Sequence, residues 1–177
     1  MTVISRAPEN TNFLQPTKFL LTFSRIPEVT YFCQEVNIPG MNLPNIIVPS
    51  PMLDYHAAGN KLTYNQLHVR FMVDEKLQSW KNIHDWFRSI ASPTGFEERN
   101  LRAAIQNQYN QSKLTSYSDA VLTVLTNLNN PSIRIDLHGL FPVSLSDIQF
   151  DTTLSADHII TADATFMVEY FDIEEIS

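Results

Sequence analysis

NKLTYNQLHVRFMVDEKLQSWKNIHDWFRSI, residues 60–90, carries two hydrophobic periods in one run of chain. Up to Asp74 the period is two. Leu67, Val69, Phe71 and Val73 alternate with Gln66, His68 and Arg70, which makes one face of an extended segment apolar and the other polar. This reads as a β-strand with one face on a core. Beyond Asp74, the residues Leu77, Trp80, Ile83, Trp86, Phe87 and Ile90 recur at helical spacing until Pro93. Asp74 stands where an N-cap carboxylate takes up the free amides of a first helical turn. A strand feeding one amphipathic helix places that helix, stripe inward, against a sheet.

Working outward, TKFLLTFSRIPEVTYFCQEVNIPG (17–40) predicts two strands, with Phe19, Leu21 and Phe23 alternating in the first and Phe32, Val36 and Ile38 in part in the second. Ile26-Pro27-Glu28 breaks them into a hairpin-like pair. Pro39, Gly40, Pro44, Pro49 and Pro51 then punctuate the chain as far as Gly59, around the short apolar pieces Ile46, Ile47, Val48, Met52 and Leu53. The expectation is at most a short edge strand in a long extended loop, about 39–60, uncommon in a compact domain unless it has a task. Downstream of the helix a weaker helical stripe, Leu101, Ile105 and Tyr109, precedes a return to strands: SYSDAVLTVLTN, PSIRIDLHGLFP, the short SDIQFDTT and ITADATFMVEYFD. The expected fold class is mainly β, an antiparallel β-sandwich or barrel with one flanking amphipathic α-helix. Residues 1–177 fit one domain with a polar N-terminal arm at 1–12.

The chain of 177 residues is 44% apolar and 18% charged, with four glycines, ten prolines and a net charge of -7, and so has the make-up of a folded, acidic protein. Up to residue 113 there are eleven bases and nine acids, whereas from 114 onward Arg134 is the one base against ten acids. An acidic balance argues against binding nucleic acid through its phosphates. A bias this one-sided fits either a solvated face or a surface that repels something. The lone Cys33 excludes an intramolecular disulfide and a Cys-rich zinc site, with a reducing compartment as the default. Apolar runs stop well short of about 18 residues and the N-terminus lacks a basic start before an apolar block, so neither a membrane span nor a secretion signal is expected.

Catalytic spacings are absent from the sequence. Four scattered glycines build neither phosphate loop, and there is no G-x-S-x-G elbow and no H-E-x-x-H. His56, His68, His84, His138 and His158 fall one per element, some beside an acid (Asp54, Asp85, Asp157), and acid–base or metal chemistry would require the fold to gather them. Cys33 beside Phe32 reads as a small buried hydrophobe. Asp147 and Asp151 read as the polar face of a strand, and Glu174-Glu175 as an unremarkable acidic pair, not as calcium or glycosidase carboxylates. Trp80, Trp86 and Phe87 are core contacts by their helical phase before they are a stacking platform. No catalytic, metal or cofactor site is expected. Two alternatives carry their own requirements: a ligand-binding β-barrel needs a closed apolar pocket, and an Asp/His hydrolase needs two histidines near one carboxylate.

Four segments resemble the tail tube proteins of contractile-tailed bacteriophages. FLLTFSRIPEVTYFCQEVNIPG is similar to the family's opening strand pair, and residues 60–90 resemble its long strand ending in an Asp-Glu pair before a Trp-bearing helix. In IRIDLHGLFPVSLSDIQFDTT, the residues Gly139, Leu140, Phe141 and Pro142 look like its Gly-Leu-aromatic-Pro, and ADATFMVEYFD resembles its closing strand. NIIVPSPMLDYHAAGN and PTGFEERNLRAAIQNQYNQSKL match no family motif. The resemblance implies packed antiparallel sheets with one flanking helix, a fold shared with contractile bacteriocin and type VI secretion tubes. It implies a structural virion protein and no enzyme: homohexameric rings stacked into the hollow inner tube through which DNA is ejected, without specific nucleic-acid binding and without a membrane. The implied partners are further copies of the chain, the tail sheath, the tape-measure protein, the tube-initiator or baseplate proteins and the tail terminator, in a virion assembled in the host cytoplasm. A tube-initiating baseplate protein of the same fold is the alternative identity. The 39–60 loop falls where the family reaches an adjacent subunit or ring, which makes Met52, Leu53, Asp54, Tyr55 and His56 the candidate contacts. The acids of the last third form the pool for a negative lumen, with Asp119, Asp136, Asp147, Asp151, Asp163 and Glu169 as candidates.

Overall fold

The computed structural model describes residues 13–91, 93, 95, 116–153, 155 and 159–176. The expected polar arm (1–12), the Leu101/Ile105/Tyr109 stripe and the Asp157-His158 pair lie outside the described residues. The strands are β1 (Phe19–Phe23), β2 (Cys33–Val36), β3 (Met41–Asn42), β4 (Asn45–Val48), β5 (Tyr55–Ala58), β6 (Thr63–Tyr64), β7 (Leu67–Met72), β8 (Ser118–Leu125), β9 (Pro131–Leu145), β10 (Thr161–Met167) and β11 (Tyr170–Glu175). Among the described residues there are also two helices, α1 (Pro27–Phe32) and α2 (Gln78–Ile90). Every strand pairing is antiparallel.

Seven strands run in the order β1-β8-β9-β10-β7-β2, with β11 added to β9. The long strand β9 makes this two sheets: its residues 131–140 pair with β8 and 133–138 with β11, while 141–145 pair with β10. The first sheet is thus β1, β8, the start of β9, and β11. The second is the end of β9, then β10, β7 and β2. The change of sheet falls at Gly139, whose φ of 65° and opposing register shift mark a bulge. Its amide donates to Asp119 Oδ1 at 3.1 Å, and a Cβ there would meet the Glu169 side chain at 2.6 Å. Leu140 and Pro142 turn inward immediately afterwards. In this way the Gly139-to-Pro142 run bends one strand around the core.

The alternation in β7 is as expected, with Leu67, Val69 and Phe71 buried and His68 and Arg70 exposed. Phe23, Phe71, Trp86 and Phe166 fill the space between the sheets, Phe166 lying 5.2 Å from Phe23 and 5.6 Å from Trp86 between ring centroids. Each such side chain contributes roughly 1.5–3 kcal/mol through burial. Helix α2 lays Ile83 and Trp86 on this core with Ser79 and Ser89. The Trp86 indole donates to Ser116 O at 3.0 Å, and the half-buried Trp80 donates to Ser146 O at 3.1 Å. Arg25 lies 4.9 Å above the Trp86 ring and donates to Ser89 Oγ at 3.1 Å, with burial lowering its pKa to about 10.

Five local expectations are corrected. The 17–40 segment is not a strand hairpin: β1 pairs with β8, β2 with β7, and α1 lies between them. Pro27 opens that short helix, and Ile26 and Val29, three apart, are buried. Asp74 supplies the helix-capping carboxylate, but the chain takes one further turn and Leu77, at φ 55°, occupies the N-cap position with its side chain exposed. The 39–60 loop is largely a two-stranded ribbon, β4 on β5 above β3 on β6. SDIQFDTT is no strand; Asp151 instead accepts from the Thr153 amide and hydroxyl at 2.8 and 2.7 Å, closing a local turn. ITADATFMVEYFD is two strands, β10 and β11, broken at Val168-Glu169 where the pairing moves from one half of β9 to the other.

Candidate functional site

Four surfaces stand out once the core is filled. The first is the arm formed by β4 and β5. All eight of its ladder residues are exposed, among them Ile46, Ile47, Val48 and Tyr55, and in the connecting turn Met52 is 99% exposed and Leu53 66%. Ile46 pairs with Ala57, Ile47 with His56 and Val48 with Tyr55, so the apolar groups occupy both faces of the ribbon. The Asn45 amide and His56 Nδ1 lie 2.8 Å apart across it. Of the expected contacts, Met52, Leu53, Asp54, Tyr55 and His56 all lie on this arm and all are exposed. Ile46, Ile47 and Val48 belong with them; their placement between Pro44 and Pro49 hid a strand.

The second surface is the outer face of the first sheet. Val121, Asp136 and Asp172 stand in one row across β8, β9 and β11, and Thr123, Arg134 and Glu174 in the next. Asp119 lies beyond, 3.7 Å from His138 Nδ1; His138 Nε2 is 4.0 Å from Asp172, and its ring stacks on Tyr170 at 4.8 Å. Arg134 donates to Asp136 at 2.8 Å. Four carboxylates, Asp119, Asp136, Asp172 and Glu174, therefore share this face with one arginine and one histidine. Asp172 and Glu174 share it because β11 alternates in step with β9, a register readable only once β10 and β11 are known to be separate strands.

The third surface is the outer face of the second sheet. Here Arg70 donates to Asp163 Oδ1 at 2.8 Å and to Glu35 Oε2 at 3.0 Å. Asp163 first and Glu35 second push the guanidinium pKa up. The candidate lumen acids thus divide: Asp119 and Asp136 are brought together, Asp163 sits on the opposite sheet, and Glu169 packs its side chain over Gly139 at the strand break. Asp147 and Asp151 are exposed on the segment after β9, and the Thr153 hydrogen bonds hold the Asp151 carboxyl below its ordinary range. The fourth surface consists of strand edges without a partner among the described residues: there β1 pairs with β8 alone, β11 with β9 alone and β2 with β7 alone.

Little in the described chemistry is set up for reaction. His56, His68, His84 and His138 lie on β5, β7, α2 and β9, and among the described residues no ion pair joins two histidines to one carboxylate. No group of three or more His, Cys, Asp or Glu among them is placed to hold a metal ion. Cys33 is half-buried, and burial pushes its thiol up to about 11, which leaves it protonated at neutral pH. A cleft of about 490 Å³ between the arm root and β7 is open and lined by polar side chains, Asn37, Asn65, Gln66 and His68 among them.

A model of the phage tail tube protein family matches residues 7–174. The tail tube terminator protein of Enterobacteria phage T4 is 25% identical over 150 residues, 82% of this chain and 78% of the terminator. Among solved structures, the tube-terminating cap of the anti-feeding prophage superposes with a TM-score of 0.66 at 13% identity, covering 99% of this chain and 100% of the cap. A chain of the sheath-tube complex of the extracellular contractile injection system PVC, in its extended state, superposes with a TM-score of 0.58 at 13% identity, with 99% of both chains covered. A tube-terminating cap and a component of a sheath-tube complex thus share this fold.

Proposed function

Because the chain belongs to the phage tail tube protein family, a family of structural proteins and not of enzymes, we propose that it is a ring-forming subunit of a contractile tail, placed where the tube is terminated. The observation that carries this reading is the sequence relationship to the T4 tail tube terminator over most of both chains. In this reading hexameric rings close through the free edges of β1, β2 and β11, which neighbouring copies pair instead of leaving open to aggregation. The apolar arm reaches the adjoining copy or ring, and Ile46, Ile47, Val48, Met52, Leu53 and Tyr55 are its anchors. The outer face of the first sheet, with four carboxylates, lines the lumen, so that DNA passes without being held. Tube, sheath, tape-measure and baseplate proteins are the expected neighbours in the virion.

A second reading, the repeating tube subunit, is favoured by the family description itself and by the likeness to a chain of a sheath-tube complex. The two differ in what stacking does. A terminator adds one ring and stops further growth, whereas a tube subunit continues without limit. Purified chain mixed with growing tubes of its own tail, followed by electron microscopy, separates them. Tubes that stop elongating and carry a terminal ring support termination, and tubes that lengthen in proportion to the added chain support the second reading. Tubes left unaltered by an excess of the chain contradict both.

A further inference from the structure

A two-stranded ribbon standing clear of a core is aimed by its root alone. No ladder residue of β4 or β5 is buried, so among the described residues no packing holds the arm's direction. The root is held mainly by backbone links: Asn65 N–H donates to Gly40 O at 2.8 Å, Met41 and Asn42 pair with Tyr64 and Thr63, and Gly59 N–H donates to Pro44 O at 2.8 Å; the Thr63 hydroxyl adds a bond to Asn42 O at 3.1 Å, and the Tyr64 ring meets Phe171 edge-on at 5.3 Å. Between the two ladders, Leu43 and Pro44 face Gly59, Asn60, Lys61 and Leu62, two residues against four, so the ribbon must bend there. At the bend the strands come closer than any side chain allows. A Cβ on Gly59 would lie 2.3 Å from Pro44 O and 3.2 Å from its carbonyl carbon. Both are backbone atoms of the opposing segment, so relieving the overlap requires the main chain itself to move, and the proline ring removes φ as one of the torsions by which it could.

We infer that the Gly59–Pro44 pinch aims the arm, and that Gly59 is a positioning residue for assembly although it lies at the root and not among the apolar anchors. This rests on the reading that the arm docks on another copy of this chain. With a rise of about 3.3 Å per residue, the four residues of β4 carry the arm about 13 Å beyond the pinch. A tilt of about 20° there moves its end by about 4 Å, the full reach of an apolar contact. Every copy in a ring must aim its arm alike, so a loosened root costs assembly even when each anchor is present.

The test uses Gly59→Ala in the full chain, read in two ways. Residual dipolar couplings of the Ile46–Val48 amides in the free subunit report arm direction relative to the core, and electron microscopy after long incubation reports assembly. In the wild type the arm couplings fit the alignment of the core strands. In Gly59→Ala they average towards zero, core melting stays at the wild-type temperature, and assembled particles fall by about tenfold or more. The double variant Met52→Ser/Leu53→Ser keeps the wild-type couplings and loses assembly. Gly59→Ala with wild-type couplings, or with altered couplings and undiminished assembly, overturns the inference. If Met52→Ser/Leu53→Ser assembles normally, the docking reading fails, the link from the pinch to assembly falls with it, and the couplings alone judge whether the pinch aims the arm. Should Gly59→Ala not fold, Pro44→Ala, which frees φ without adding an atom at the contact, must shift the same couplings in the same direction or the inference fails.

Discussion

At the scale of single residues, Asp74 and Gly139 decide the most with the least. The Asp74 carboxylate accepts from the Gln78 amide at 3.0 Å and from the Ser79 amide and hydroxyl at 2.9 Å each. The Ser79 amide foremost, with Gln78 behind it, lowers its pKa to about 2. A depressed carboxyl contributes stability that is complete above the ordinary value near 3.9 and is lost as pH falls through about 2. Asp74→Ala is therefore expected to cost about 1 kcal/mol at neutral pH, the usual value of a cap, and that deficit shrinks towards zero between about pH 4 and pH 2. Urea unfolding across that range checks both the size and the direction. At Gly139, alanine meets a left-handed φ and the Glu169 side chain together, and the expected loss is about 1–3 kcal/mol in the same assay. Residues of this kind were legible in part. Asp74 announced itself as a capping acid and Gly139 as part of a motif, but that Leu77 would take a left-handed conformation follows only from the extra turn, which no side-chain pattern marks.

At the scale of elements, the strands and the helix that face the core were readable because burial imposes a period on them. Leu67, Val69 and Phe71 had to alternate, and Ile83 and Trp86 had to share a stripe. The elements that were misread lack that constraint. The arm strands bury nothing, so Ile46-Ile47-Val48 carries no alternation. In SDIQFDTT the alternation is present, but Phe150 is 77% exposed and Asp151 turns on Thr153, so period two alone did not make a strand. β10 and β11 read as one because Ala164, Phe166, Val168 and Tyr170 keep step across the break. Core and arm are expected to respond in opposite ways. Phe166→Ala removes a ring packed between Phe23 and Trp86 and is expected to cost about 3–5 kcal/mol. Ile46→Ser/Ile47→Ser stays within about 0.5 kcal/mol of wild-type stability while abolishing assembly. Calorimetry beside analytical ultracentrifugation reads the pair.

At the scale of the whole molecule, the charge asymmetry acquires a location. Acids of the last third that lie on strands fall on different sheets: Asp163 is tied to Arg70, whereas Asp119, Asp136, Asp172 and Glu174 share one face with Arg134 and His138. That partition was beyond the sequence, because it depends on β9 serving both sheets and on the bulge at Gly139. Substituting lysine at Asp172 and Glu174, both exposed, is expected to leave assembly intact and to make assembled particles retain added DNA at low salt, with release as salt rises. Lost assembly with no DNA retention would mark these acids as contacts between copies and not as a lumen wall. Closure of this chain into rings is tested most directly by electron microscopy of the purified protein at high concentration after long incubation, viewed down the symmetry axis. Six-fold rings with a central hole are the expected result, and a strictly monomeric particle under those conditions contradicts ring closure.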